Sequence, residues 1–162
     1  MCGICGFVGI DDPGLLKRMC AIISHRGPDD EGVFTEGPVG LGNRRLSIIG
    51  VETGRQPMFS EDGSLVLVHN GEIYNYLELR EALTKAGHRF ASDSDTEVII
   101  HLYEEYGAEC VRHLDGMFAF VVWDRRRQEL FLARDRLGIK PLFYLQQGGR
   151  LVFASEIKSI LL

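Results

Sequence analysis

One short segment constrains the fold more than any other part of the chain. Residues Met117–Trp123 read Met-Phe-Ala-Phe-Val-Val-Trp, so both faces of an extended strand would be apolar. A strand with one face in water alternates apolar and polar residues, because successive side chains point to opposite sides. This strand must therefore be covered on both faces. Two stacked sheets with helices outside them would do so, which predicts a layered α+β sandwich.

Helix signals divide the rest of the chain, which has no repeat or linker, so residues 1–162 are treated as one domain. Four helices are predicted: one capped by Asp12 and starting at Pro13, one over Tyr76–Ala86 ended by Gly87, one from Ser94 to Gly107, and one over Glu156–Leu162. Ser94-x-x-Glu97 has the spacing of a capping box. Because the last helix ends in Ile160-Leu161-Leu162 without a polar tail, we expect the chain to be a fragment of a longer protein.

The predicted strands are short and lie between these helices. They are Ile4–Ile10, Gly32–Thr35, Val39–Ile49, Leu65–His69, Glu72–Tyr74, Met117–Trp123, Glu129–Ala133, Leu142–Leu145 and Leu151–Ala154. Asn70-Gly71 separates two of them, and Asn-Gly between apolar strands is the strongest short signal for a hairpin turn.

Charge and apolar patterning exclude several classes of partner. The net charge is −5, whereas nucleic acids and anionic membranes select basic surfaces. No segment approaches the roughly 18 apolar residues needed to span a bilayer, and the apolar start lacks the basic residues of a signal peptide. We therefore expect a cytoplasmic protein whose cysteines, Cys2, Cys5, Cys20 and Cys110, are thiols.

Cys2 follows the initiator Met1, and this position suggests a catalytic role. Removal of Met1, which is usual before a small residue, would leave one residue with both a thiol and a free α-amine. Such amines titrate near pH 8 and thiols near 8.5, so the amine could act as base for the thiol. Alternatively, Cys2 is incidental, or Cys2-Gly3-Ile4-Cys5 is a redox or zinc motif. The thioredoxin-like setting and a second ligand pair are both missing, so we expect no metal site.

Several further segments resemble motifs of one family. They span nearly the whole chain and occur in the same order as in that family. They are Met1–Gly6, His25–Asp29, Arg45–Ile49, Asn70–Asn75, Ser94–Glu97, Arg134–Pro141 and Phe153–Lys158. The first resembles class II glutamine amidotransferases, which are N-terminal-nucleophile hydrolases, and the others resemble glutamine-hydrolysing asparagine synthetases. Other class II branches share the early cysteine but not the segment Arg134–Pro141.

The resemblance implies a four-layer αββα sandwich of two mainly antiparallel sheets, and a domain that hydrolyses glutamine. It implies that Cys2 is the nucleophile and that the Asn70 amide and the Gly71 N–H form the oxyanion hole. The implied substrate-binding residues are Arg45, Leu46, Ser47, Ile48, Ile49, Asn70, Gly71, Glu72 and Asp95. Arg45 would hold the α-carboxylate of glutamine, while Asp95, helped by Glu72, would hold its α-ammonium. Arg26 and Asp29 would shape the site without a chemical step.

The family also implies partners beyond these residues. A downstream synthetase domain, absent here, would use ATP and Mg²⁺ to activate aspartate and would consume the ammonia, whereas the glutaminase half-reaction needs no cofactor. A homodimer is possible.

Three alternatives remain open: a relative with another ammonia acceptor, an inactive regulatory or binding module if Met1 is retained, and a hydrolase of another amide. The last predicts that glutamine turnover survives replacement of Arg45 or Asp95.

Overall fold

The computed structural model describes residues 1–12, 14–50 and 52–162, which form nine strands and four α-helices. The strands are β1 (Gly3–Val8), β2 (Asp30–Glu36), β3 (Val39–Arg45), β4 (Met58–Phe59), β5 (Leu65–Ile73), β6 (Gly116–Asp124), β7 (Glu129–Arg134), β8 (Phe143–Gln147) and β9 (Arg150–Ala154). The helices are α1 (Leu15–Ile22), α2 (Tyr76–Ala86), α3 (Glu97–Tyr106) and α4 (Ile157–Ile160). Within the described ranges, no helix is long and apolar enough to cross a lipid bilayer.

The strands form two antiparallel sheets. One has the order β2-β3-β1-β9-β8 and the other the order β4-β5-β6-β7. Helices α1 and α4 pack on the outer face of the first sheet, while α2 and α3 cover the outer face of the second. The four layers confirm the predicted α+β sandwich of two antiparallel sheets.

Strand β6 has the doubly buried character that its sequence predicts. Ala119, Val121 and Trp123 face the apolar layer between the two sheets. Phe118 and Phe120 face the opposite way, into the core beneath α2 and α3. Burial of both faces removes a large apolar area from water. This burial stabilises the fold by roughly 25 cal/mol for each Å² of apolar surface.

The segment around Asn70-Gly71 differs from the predicted hairpin. Strand β5 runs without interruption through both residues, and it pairs with β6 from Leu65 opposite Asp124 to Ile73 opposite Gly116. The prediction of two strands, Leu65–His69 and Glu72–Tyr74, joined by a turn was therefore wrong. In a hairpin the two flanking strands would pair with each other. Here both segments pair with β6, which is distant in sequence.

Several element bounds also differ from prediction, and β4 was not predicted at all. Strand β1 ends at Val8 and β3 ends at Arg45, so the predicted extension to Ile49 is a loop. Helix α3 begins at Glu97 rather than at Ser94.

The capping box was also wrong in detail. The Glu97 carboxylate accepts hydrogen bonds from the backbone N–H groups of Ala91 and Ser92, at 2.7 and 2.8 Å, instead of reaching Ser94. The Ser94 hydroxyl oxygen accepts from the N–H of Thr96 at 3.2 Å. Glu97 therefore fastens the preceding loop rather than the residue that a capping box would use.

The start of α1 is fixed by Asp12. Its Oδ1 accepts hydrogen bonds from the N–H groups of Gly14 and Leu15, at 2.9 and 3.1 Å, as expected of a capping side chain. The predicted first helical residue, Pro13, lies outside the described residues, and α1 itself begins at Leu15.

The segment after β7 is held to the second sheet by one carboxylate. Asp135 is buried, and its oxygens accept hydrogen bonds from the N–H groups of Phe118, Ile139 and Lys140, at 3.2, 2.8 and 2.9 Å. Burial opposes ionisation of Asp135, but these backbone donors outweigh it and lower the pKa of the carboxyl group below its usual value. One side chain thereby fixes the loop that brings Lys140 to the end of the sheets.

Asp135→Ala should lower the free energy of unfolding by about 2–4 kcal/mol, because three backbone donors lose their acceptor in a buried setting. Urea denaturation measures this change. Asp11→Ala is the matched control, since Asp11 is exposed, and it should change stability by less than about 0.5 kcal/mol. Equal effects of the two substitutions would contradict this account of the loop.

Candidate active site

Strand alternation brings three polar side chains to one end of the layer between the sheets. Ile4, Leu41 and Val68 all belong to the apolar cluster in that layer. Cys2 precedes Ile4 by two residues, Arg45 follows Leu41 by four, and Asn70 follows Val68 by two. Because side chains repeat on the same face every second residue, these three polar groups project toward the same interior end.

A cavity that is open to solvent lies at this end of the layer. Nine of the predicted site residues line it: Cys2, Arg45, Leu46, Ile48, Ile49, Asn70, Gly71, Glu72 and Asp95. Ser47 is not among the described lining residues, and its N–H instead donates to Asp29 Oδ2 at 2.9 Å. The cavity is also lined by residues that were not predicted as site residues: Met1, Gly54, Gln56, His69, Ser94, Thr96 and Lys140.

The Cys2 thiol is half-buried and lies against the start of the loop that follows β3. Its Sγ is 3.4 Å from the N–H nitrogen of Leu46 and 3.5 Å from the Leu46 carbonyl oxygen. The Cys2 carbonyl accepts a hydrogen bond from Arg26 Nε at 2.9 Å. The Sγ atom is therefore held between β1 and β3 at the cavity wall.

Arg26 is itself held in place by an acidic partner. Its Nη1 lies 3.1 Å from Glu156 Oε1. Partial burial opposes ionisation of Glu156, but hydrogen bonds from Lys158, Arg26 and His25 lower its pKa to about 2. The pair couples Glu156, two residues after β9, to the Cys2 backbone. Arg26 therefore anchors the site and is not among the described lining residues.

Asn70 is buried, and its side chain has no hydrogen-bond partner among the described residues. Both the amide nitrogen and the amide oxygen lack one. A buried unpaired amide costs roughly 1–3 kcal/mol, so such groups are rare in native proteins. An unpaired donor that faces a cavity is available to a ligand.

The Gly71 N–H also points away from the neighbouring strand. Phe118 lies opposite Gly71. Its N–H donates to the Asp135 carboxylate, and its carbonyl accepts from the Asp135 N–H, both on the side away from Gly71. Residues opposite each other in an antiparallel pair exchange both hydrogen bonds or neither, so Gly71 forms none with Phe118. His69 and Ile73, two residues before and after, likewise direct their N–H groups away from β6, to Gln56 Oε1 at 2.6 Å and to Asp95 Oδ2 at 2.9 Å.

Position 71 has no room for a side chain. A Cβ atom there would lie 2.1 Å from the Met117 carbonyl oxygen and 2.7 Å from His69 Nε2. Glycine is therefore required by the close approach of β6 on one side and of His69 on the other.

Opposite charges stand in the cavity wall. Arg45 is buried, and its Nη2 donates to the carbonyl oxygens of Ile49 and Gly50, at 3.1 and 2.7 Å, which folds the loop after β3 over the cavity. Asp95 is buried as well, and besides accepting from Ile73 it lies 3.5 Å from the Ser94 hydroxyl. Glu72 adds a second carboxylate to the lining.

His69 is the least expected of the lining residues. Its Nδ1 is 3.0 Å from the Thr96 hydroxyl, while its Nε2 has no partner among the described residues. Burial disfavours the charged ring and, assisted by nearby Lys140 and opposed by Asp95, lowers the pKa of His69 to about 4. The imidazole is therefore neutral near pH 7. Only its place beside Asn70 could have drawn attention to it in the sequence.

The sequence of the chain is similar to those of several known proteins. The sequence pattern of a family described as "Glutamine amidotransferase domain" matches residues 1–162. Glutamine-hydrolysing asparagine synthetases 3 and 2 of Bacillus subtilis are 46% and 48% identical to the chain over 99% of its length. Asparagine synthetase 2 of Oryza sativa subsp. japonica is 46% identical over 99% of the chain. The chain spans only 27%, 22% and 28% of these three relatives.

The fold is shared with more distant enzymes. The glutamine phosphoribosylpyrophosphate amidotransferase of B. subtilis, solved with ADP and GMP, superposes with a TM-score of 0.82 at 24% identity. The alignment covers 98% of this chain and 42% of that one. A second structure, described as the allosteric regulatory enzyme of purine biosynthesis, gives a TM-score of 0.83. The αββα architecture of this chain is therefore the fold that these two enzymes share.

The stability of the protein should fall as the pH is lowered from 6.5 to 4. In the unfolded chain a histidine titrates near 6.5, whereas folded His69 titrates near 4. Between these values the unfolded state binds a proton that the folded state does not, so acid favours unfolding. Glu97 and Glu156, whose pKa values are lowered to about 2, act only below about pH 4.5.

Urea denaturation at pH values from 4.2 to 7 measures this slope. His69→Asn, which does not titrate and keeps a polar atom for Thr96, should flatten it. His113→Asn is the control at an exposed histidine and should leave the slope as in the wild type. A slope that is unchanged in His69→Asn would contradict the assignment.

Proposed function

The chain belongs to the glutamine amidotransferase domain family, and on that premise we propose that it hydrolyses the side-chain amide of glutamine through the Cys2 thiolate. The observation that carries the proposal is the pairing of a thiol with an unsatisfied amide donor. Cys2 and Asn70 line the same cavity, and the Asn70 side chain is buried without a partner. A nucleophile beside a vacant donor is the minimum that acyl transfer requires.

The first step is attack by the Cys2 thiolate on the amide carbon of glutamine. The carbonyl oxygen becomes an oxyanion, which accepts hydrogen bonds from the Asn70 amide nitrogen and the Gly71 N–H. Donors preset in a cavity need no reorganisation when the charge develops, and each contributes about 3–4 kcal/mol to the transition state. The missing Cβ at Gly71 lets the backbone approach the oxyanion closely.

The second step expels ammonia and leaves a thioester. The α-amine of Cys2, protonated when it takes the thiol proton, returns that proton to the departing nitrogen as the C–N bond breaks. Water then attacks the thioester, releases glutamate and regenerates the thiol. This chemistry requires removal of Met1, because a peptide nitrogen cannot serve as the base. The half-reaction uses no metal or cofactor.

Charges in the cavity wall select the substrate. Arg45 binds the α-carboxylate of glutamine, for which the planar guanidinium is suited. Asp95, helped by Glu72, binds the α-ammonium. Leu46, Ile48 and Ile49 of the loop after β3 line the binding site. A positive group at one end and carboxylates at the other favour a free amino acid over a peptide.

The ammonia supplies a synthetase domain in a longer parent protein. The names of the relatives and the small share of their length that this chain spans support a parent that amidates aspartate. ATP and Mg²⁺ act in that second domain. A cytoplasmic location accords with an acceptor of this kind, and a homodimer remains a prediction.

Asn70→Ala and Asn75→Ala should separate function from stability within one segment. Asn70→Ala removes a buried group that has no partner, so stability should stay the same or rise, while kcat for glutamate release falls about 10²–10³-fold. Asn75 bonds the His113 carbonyl at 2.9 Å and the Asp115 N–H at 3.0 Å. Asn75→Ala should therefore lower stability by about 1–2 kcal/mol and leave kcat near that of the wild type.

Coupled-enzyme detection of glutamate and urea denaturation give the two quantities. The proposal fails if processed wild-type protein releases no glutamate from glutamine. It fails in its oxyanion-hole assignment if Asn70→Ala retains the wild-type kcat.

A further inference from the structure

A second polar cluster lies away from the cavity, where the loop after α2 meets α3. His88 stands in that loop, just after Gly87 ends the helix, and His101 and Glu104 lie one turn apart on α3. One ligand atom from each of these three side chains can be chosen so that all lie within 4.8 Å of one another. His88, His101 and Glu104 are not among the described residues that line the cavity.

The two imidazoles aim at a single carboxylate oxygen. Nδ1 of His101 is 2.9 Å from Glu104 Oε2, and Nδ1 of His88 is 3.4 Å from the same atom. The ring centroids are 4.8 Å apart. Two nitrogens and one oxygen, which are the atoms that bind a first-row divalent metal, therefore converge from two elements.

From this convergence we propose that His88, His101 and Glu104 form a binding site for Zn²⁺. In a tetrahedral zinc site with bonds of about 2.0–2.2 Å, a ligand nitrogen and a ligand oxygen lie about 3.4 Å apart. The His88–Glu104 distance equals this value, and the His101–Glu104 distance would have to open by about half an ångström. Two histidines and a carboxylate suit zinc better than Mg²⁺ or Ca²⁺, which prefer oxygen ligands.

The second nitrogen of each ring faces another carboxylate. Nε2 of His88 is 2.8 Å from Glu105 Oε1, and Nε2 of His101 is 3.8 Å from Glu97 Oε1. Metal-binding histidines commonly donate the other N–H to a carboxylate, which fixes the tautomer that leaves the ligand nitrogen free. His101 Nε2 is buried and, at 3.8 Å from Glu97, has no hydrogen-bond partner among the described residues.

Charge and access also favour a dication. Three carboxylates, those of Glu97, Glu104 and Glu105, surround the two rings, and a divalent ion would offset them. The His101 ring is buried against Phe90, whereas the Glu104 side chain is 31% exposed. A solvent molecule can therefore complete the fourth position from the open side. The ion would fasten the loop after α2 to α3 and act independently of glutamine hydrolysis.

Calorimetric titration with Zn²⁺ tests the site in the full chain, in a Cys2→Ala background that removes the accessible thiol. We expect one Zn²⁺ per chain, and a melting temperature that rises with Zn²⁺ and returns on addition of a chelator. Binding should weaken at least 10-fold in His88→Gln and in Glu104→Gln, which are partly exposed and should fold. His113→Gln, at an exposed histidine outside the cluster, is the control and should bind as the parent does.

Co²⁺ adds a spectroscopic readout, because a tetrahedral site with nitrogen ligands gives visible absorption. The band should form in the parent and in His113→Gln but not in His88→Gln. The inference is overturned if the parent shows no stoichiometric Zn²⁺ binding. It is equally overturned if His88→Gln and Glu104→Gln bind Zn²⁺ as tightly as the control.

Discussion

The face-to-face packing of the two sheets is the constraint on which the rest of the structure depends. Apolar residues of β1, β3, β5, β6 and β9 fill the layer between them. Since side chains alternate along each strand, the register that buries Ile4, Leu41 and Val68 also determines where Cys2, Arg45 and Asn70 point. A shift of one residue in any of these strands would turn its polar group away from the cavity.

The site has a cost in stability that this apolar layer has to offset. Asn70 and the Nε2 atom of His69 are buried without partners, and each such group is unfavourable by roughly 1–3 kcal/mol in the free protein. Burial also keeps His69 neutral. Polar groups left unsatisfied at the end of a well-packed core are typical of sites that are completed by a ligand.

Much of the fold could be predicted from local sequence signals. The helix Tyr76–Ala86 and its end at Gly87 were predicted to the residue, because propensity and capping agree there. The apolar pattern of Met117–Trp123 correctly required cover on both sides. The turn predicted at Asn70-Gly71 was wrong, because β5 pairs with β6, more than 40 residues away, and turn propensity carries no information about such pairing.

The candidate site shows the same limit. The lining residues were predicted from the family resemblance rather than from periodicity. Ser47, which was predicted with them, is not among the described lining residues, and its backbone N–H donates to Asp29. His69 and Lys140 reach the cavity only through tertiary contacts, Lys140 because Asp135 folds its loop back. The convergence of His88 and His101 is likewise invisible in a sequence where 13 positions separate them.

Cys2, exposed as the first residue, is proposed to carry out the hydrolysis. The most direct measurement is intact mass combined with glutamate release from glutamine, for the wild type and for Cys2→Ala. The mass should be lower by one methionine, and the wild type but not Cys2→Ala should release glutamate. Release that survives in Cys2→Ala, or full activity in protein whose mass still includes Met1, would contradict it.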